Sequence, residues 1–88
     1  MHFLYILKSL ADGKHYVGIT SNVKKRLAYH NRGYVRSTKH RIPFIILKVE
    51  SFPSRIEARA REKYLKSYVG SKEKRSIIEL VKNHWEIV

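Results

Sequence analysis

The sequence predicts an α+β domain with the element order β-β-α-β-α-α. Three observations carry that prediction. An Asp12-Gly13 pair separates two short runs rich in aromatic and branched residues, polar helix caps stand at Ser21-Asn22 and at Ser54, and an apolar run follows Pro43. Eighty-eight residues supply one modest core, so residues 1–88 are read as a single domain. A hydrophobic content of 43% with 11% aromatic residues is globular composition.

Taken in order, Phe3 to Lys8 forms the first strand. Asp12-Gly13 is a hairpin signal, because both central positions of that turn need positive φ. The second strand is His15 to Ile19. A two-residue turn pairs Ala11 with Lys14 and puts Tyr5 on the same side as Tyr16 and Gly18. A glycine inside a strand weakens it, which predicts that another group approaches the backbone at Gly18.

Ser21 or Asn22 caps a helix that runs to about Asn31 and is ended by Gly33. Val23 and Leu27 form its apolar stripe, Arg26 and His30 flank the stripe at i and i+4, and Lys24 and Lys25 face solvent. The following loop, 32–42, carries Arg32, Arg36, Lys39 and Arg41 and no acid, the make-up of a segment that grips a phosphate backbone. Pro43 opens a third strand, Phe44 to Phe52. Its run Phe44-Ile45-Ile46-Leu47 predicts the most buried strand of the sheet. Ser54 and Glu57 make an S-x-x-E capping box, and the second helix is expected to reach Val69 and stop at Gly70. A third helix fits from Ser71 to about Lys82 with Ile77, Ile78, Leu80 and Val81 inward, and Trp85 is expected against the core.

Charge narrows the function. A net charge of +12 is far more than solubility requires and calls for a polyanionic partner. Interleaved tyrosines favour nucleic acid over an anionic membrane surface, since bases offer faces to stack on. The absence of cysteine excludes disulfides, thiolate zinc sites and a thiol nucleophile. No segment approaches the roughly 20 apolar residues of a membrane span, and the opening run is too short for a secretory signal. A soluble, cytoplasmic protein without membrane contact is expected.

One carboxylate is out of pattern. Ala58, Glu62, Leu65 and Val69 follow the spacing of a single buried helix face, where Glu62 does not belong. A buried carboxylate needs a cation, and the ordinary partner is Lys66 one turn on. The face holds no second acid for a two-carboxylate glycosidase site. A single carboxylate can anchor one hard cation such as Mg²⁺ with water and substrate phosphate. With a metal, Arg26 on a phosphate oxygen and Tyr16 near the attacking water, the set points to phosphodiester hydrolysis.

The sequence Phe3-Leu4-Tyr5, then Tyr16-Val17-Gly18, then Arg26, His30 and Glu62 resembles the GIY-YIG nuclease superfamily over nearly the whole chain. It is most similar to small stand-alone members related to the incision subunit of bacterial nucleotide excision repair; Ser37–Pro43 and Ala58–Lys66 carry that closer likeness. The resemblance implies a three-stranded antiparallel sheet flanked by helices, in agreement with the elements above. It implies that Tyr16 acts as general base or orients the water, that Tyr5 supports the site, that Arg26 binds phosphate, that His30 is an auxiliary site residue, and that Glu62 ligates the metal, Mg²⁺ or Mn²⁺. Phe3-Leu4 stands where the first motif has Gly-Ile, and the asparagine that follows the glutamate helix in the family has no clear counterpart.

The leading expectation is a divalent-metal-dependent endonuclease acting on DNA in repair or in processing of structured substrates, with RNA left open. Lys24, Lys25, Arg32, Arg36, Lys39 and Arg41 would hold the backbone. Specificity would come from shape, from a protein partner or from dimerisation. The alternative is a non-catalytic nucleic-acid-binding module that keeps the nuclease fold. A structural protein of a ribonucleoprotein or membrane surface would not need Tyr5, Tyr16, Arg26 and Glu62 together.

Overall fold

The computed structural model describes residues 1–87, with side chains through Val81. Its elements are β1 (His2–Ser9), β2 (His15–Thr20), α1 (Val23–Asn31), a 3-10 turn (Lys39–Arg41), β3 (Phe44–Phe52), α2 (Arg55–Lys66) and α3 (Gly70–Ile87). The three strands form one antiparallel sheet in the order β2-β1-β3. This is the α+β arrangement expected from the sequence.

The centre of the sheet is β1, not β3. Leu4, Tyr5, Ile6 and Leu7 are all buried, whereas β3 is an edge strand with Lys48 and Val49 exposed. The apolar run of β3 misled because one side of an edge strand packs while its outer backbone stays open. Its register against β1 also slips by one between Ile6 and Leu7, a bulge at Leu47.

Alternation along β1 separates two apolar layers. Leu4 and Ile6 point to one face with Val17 and Leu65, and Ile77 and Ile78 of α3 pack there as predicted. Tyr5 and Leu7 point to the other face with Phe44, against Val23 and Leu27 of α1. Helices therefore cover both sides of the sheet.

The hairpin is longer than two residues. Ser9 N–H bonds to the Lys14 carbonyl at 2.9 Å, and Gly13, at φ 71°, returns its N–H to the Ser9 carbonyl. Tyr5 therefore faces Gly18, two positions away from the register of a two-residue turn. A shift of two keeps every side chain on its face, so the predicted sidedness of Tyr5, Tyr16 and Gly18 survives the wrong turn length. Asp12 Oδ1 accepts the Lys14 N–H at 2.8 Å, and Arg41 pairs with Asp12 Oδ2 at 2.8 Å; together they hold the Asp12 carboxyl down at about 2.

The helix boundaries differ in one place that matters. Asn22 caps α1 by accepting the Lys25 N–H at 3.0 Å, and Gly33, at φ 77°, ends it. Ser54 caps α2 by accepting the Glu57 N–H. But α2 ends at Lys66, and Gly70 begins α3 rather than following α2. A Cβ at Gly70 would overlap the Tyr64 carbonyl, so the glycine is there for a close turn between helices. Val69 consequently lies outside α2 and is exposed, and Leu80 also faces outward on α3. Arg61 ties the layers together by pairing with Glu50 of β3 and Glu73 of α3. The expectation for Trp85 falls outside the described side chains.

Candidate active site

The site grows from Gly18. A Cβ there would lie 2.5 Å from the Tyr5 hydroxyl and 2.6 Å from Tyr5 Cζ. The missing side chain is what lets the Tyr5 ring cross the β2 backbone, as the glycine-in-strand argument predicts. Tyr16 lies beside it, with ring centroids 6.3 Å apart.

From the opposite side α1 delivers His30. Its Nε2 is 3.1 Å from the Tyr5 hydroxyl, its Nδ1 is 2.8 Å from Thr38 Oγ1, and its ring packs edge-on to Tyr16 with centroids 5.1 Å apart. Thr38 Oγ1 donates to the Val35 carbonyl at 3.4 Å, so Thr38 accepts from the His30 Nδ1–H and Nε2 accepts from Tyr5. The result is a directed chain, Tyr5 to His30 to Thr38 to the backbone, through three buried side chains. Burial first, and then the Arg26 charge, push the imidazole down to about 4, which keeps it neutral as the chain requires. The end of α1 is held against β3 by Asn31, which accepts the Phe44 N–H at 2.6 Å and donates to the Phe44 carbonyl at 3.1 Å.

Arg26, one turn before His30, is half-buried and lies at the Tyr5 hydroxyl. Burial holds that hydroxyl above the ordinary phenol range, against the opposing pull of Arg26. The two tyrosines are therefore unequal: Tyr5 is buried and bonded, while Tyr16 is partly open to solvent.

Glu62 reaches the site from α2. It is only 6% exposed, and Arg59 (2.7 Å) and Lys66 (3.1 Å) pair with its two oxygens. The Lys66 ammonium also stands 5.7 Å from the Tyr16 ring centroid, so Glu62 and Tyr16 share one cation. The Lys66 pairing was readable at i+4; its reach to Tyr16 was not. Among the described residues no cluster of three or more His, Cys, Asp or Glu side chains forms, so Glu62 would hold a divalent ion with one carboxylate. That donor set fits Mg²⁺, which commonly takes one or two carboxylates and completes its shell with water and phosphate oxygens.

Tyr5, Tyr16 and His30 thus meet at one place with Arg26 beside them, and Glu62 is linked to this group through Lys66. Thr38 joins them; it lies within the Ser37–Pro43 segment of closer likeness, but a threonine in a loop eight residues from His30 follows no periodic pattern that would single it out. Of the basic residues, Lys24, Lys25, Arg32, Arg36 and Lys39 are exposed and pair with no carboxylate among the described residues. Arg41 is corrected: it is half-buried, pairs with Asp12, donates to the His15 carbonyl and lies over the Phe44 ring, so it braces the hairpin. The first turn of α1 holds Lys24, Lys25 and Arg26 and no acid, positive charge against the positive helix end, which an anion would relieve.

A family model described as the GIY-YIG catalytic domain matches residues 1–76, a span containing all five residues. The chain belongs to the GIY-YIG family. Among its relatives are UPF0213 proteins, one from Nitratidesulfovibrio vulgaris at 45% identity over 73% of this chain and 58% of that protein. Others come from Halobacterium salinarum, at 39% over 75% of this chain and 86% of the relative, and from Staphylococcus aureus, at 38% over 89% and 95%. The chain therefore spans somewhat over half the length of the Nitratidesulfovibrio relative. A UPF0213 protein of Bacillus halodurans, solved by solution NMR, is similar in fold with a TM-score of 0.53 and 33% identity, covering 90% of this chain and 83% of that one. The GIY-YIG assignment supports a nuclease-type function and with it contact to nucleic acid. No helix among the described residues is long and apolar enough to cross a membrane.

Proposed function

We propose that this GIY-YIG chain is a divalent-metal-dependent endonuclease that hydrolyses phosphodiester bonds in DNA, acting on structured or damaged substrates in repair. The observation that carries the reading is the packing of Tyr16 and Arg26 against the buried Tyr5–His30 pair, with Glu62 tied to Tyr16 through Lys66, beside a basic face without acids. Arg26 binds a non-bridging phosphate oxygen and stabilises the charge that develops there. Tyr16 orients the attacking water and, as its phenolate, takes the water's proton as the new P–O bond forms; the bond to the leaving oxygen breaks and that oxygen takes a proton from solvent. Tyr5 and His30 hold this geometry. Glu62 would hold Mg²⁺ or Mn²⁺, which supplies charge neutralisation at the phosphate and a more acidic bound water.

A second reading, a binding module that keeps the fold without turnover, draws on one observation: Glu62 is already paired by Arg59 and Lys66. Cleavage of nicked, flapped and branched DNA with Mg²⁺ or Mn²⁺, by wild type and by Glu62→Gln, separates the two. The nuclease reading expects cleavage by wild type alone and retained DNA binding by both. Salt-sensitive binding without cleavage by either would favour the binding module, and equal cleavage by both would remove Glu62 as the metal ligand.

A further inference from the structure

Two tyrosines outside the core stand together on the surface. Tyr29 is 41% exposed and Tyr34 is 66% exposed, and their rings meet edge to face at 5.6 Å and 88°. Gly33 makes the arrangement. Its positive φ turns the chain back at the end of α1, and the Tyr34 N–H then bonds to the Tyr29 carbonyl at 3.1 Å. Neither ring contributes to either apolar layer of the fold, so packing does not account for them.

Their surroundings point to a ligand. Tyr29 lines a hollow of about 250 Å³ with Thr20, Ser21, Asn22, Lys25 and Arg26. Lys25 and Arg26 precede Tyr29 by four and three residues and so share its helix face. Arg32 and Arg36 flank Tyr34 in the chain. Between Gly13 and Val49 the sequence carries nine Lys and Arg residues and no Asp or Glu. An exposed aromatic pair inside an acid-free basic surface complements a ligand with both flat faces and phosphates, which is a nucleotide strand. Bases inside a duplex are already stacked on one another, whereas each unpaired base of a strand offers a free face to Tyr34.

We propose that Tyr29 and Tyr34 form a stacking platform for unpaired nucleotides of a DNA strand, next to the cleavage site. Arg26 fixes the adjacency, because it lines the hollow with Tyr29 and also lies at the Tyr5 hydroxyl. The platform names the substrate class of the proposed nuclease, DNA with a single-stranded extension or flap at the cut, and it rests on that nucleic-acid reading. Tyr34, the more exposed of the two rings, supplies the stacking face, and Tyr29 braces it in the edge-to-face pair.

The test is fluorescence anisotropy in EDTA, with a labelled blunt duplex and the same duplex bearing a short single-stranded thymidine extension. Wild type is expected to bind the extended probe more tightly. One stacked base corresponds to a change in Kd of about 5- to 150-fold, and Tyr34→Ala should lose that gain while blunt-duplex binding holds. Tyr34→Phe keeps the ring face and should retain it. No gain from the extension in wild type, an equal loss on both probes in Tyr34→Ala, or a Tyr34→Phe variant as weak as Tyr34→Ala would overturn the platform. Those outcomes leave the nuclease reading standing if branched DNA is still cut. A wild type that binds neither probe would overturn both readings.

Discussion

The Tyr5 hydroxyl and the His30 imidazole are hydrogen-bonded at 3.1 Å across 25 residues of chain, and both side chains are buried. This bond joins the central strand to α1, the helix that also carries Arg26. Its far end is Thr38, whose hydroxyl accepts a hydrogen bond from the single ring N–H at Nδ1. Thr38→Val keeps the shape and removes the acceptor, leaving a buried N–H unpaired. The expected loss is about 1–3 kcal/mol in urea unfolding, with Thr38→Ser restoring most of it. An unchanged unfolding free energy would show that the chain does not end at Thr38.

The neutral imidazole makes stability pH-dependent. In the unfolded chain His30 titrates at 6.5; burial and the nearby Arg26 hold it to about 4 in the fold. Between those values the unfolded chain binds a proton that the folded chain does not. Stability is therefore full above about pH 6.5 and falls as the pH drops toward 4, by up to about 3 kcal/mol from this group. Burial and then the Lys8 charge hold His15 low as well, so it acts in the same direction. The difference between wild type and His30→Gln isolates the His30 share, because His15 is present in both. Parallel curves for the two proteins across this window would contradict the assignment.

Gly18 is the position where a single methyl should reach the site. The Cβ of Gly18→Ala meets the Tyr5 hydroxyl and Cζ, so the ring must move and the bond to His30 must break. Overpacking of this kind costs about 1–3 kcal/mol. Proton NMR of the His30 imidazole should register the lost bond, and DNA cleavage should fall with it. Full activity at wild-type stability would mean that Tyr5 can shift without consequence.

Arg26→Ala should separate turnover from affinity. Removing one preorganised donor to the developing charge lowers turnover by about 10²–10³-fold. One phosphate contact among many changes the Kd little and the salt slope by about one charge. Single-turnover cleavage and salt-dependent binding measure the two sides. Equal losses in both would make Arg26 a general backbone contact.

Much of this protein was settled by residues acting over four positions or fewer. The Asn22 and Ser54 caps, the Asp12-Gly13 reversal and the amphipathic pattern of α2 and α3 are hydrogen-bonding and steric preferences that need no distant partner. The sidedness of Tyr5 and Tyr16 was equally legible, because the period of two tolerates an even error in register. Gly18 announced a close neighbour, although it could not say which. Tertiary structure decided the rest, since a local pattern does not encode what lies opposite. The pairing β2-β1-β3 made β1 the buried strand and left the apolar run of β3 on an edge. Long-range pairing turned Arg41 toward Asp12 and Phe44. The close turn at Gly70 ended α2 before Val69, and only the packing of α1 against the sheet brought Thr38 under His30. Strand order and buried partners depend on which distant groups exclude water together, and that is a property of the assembled chain.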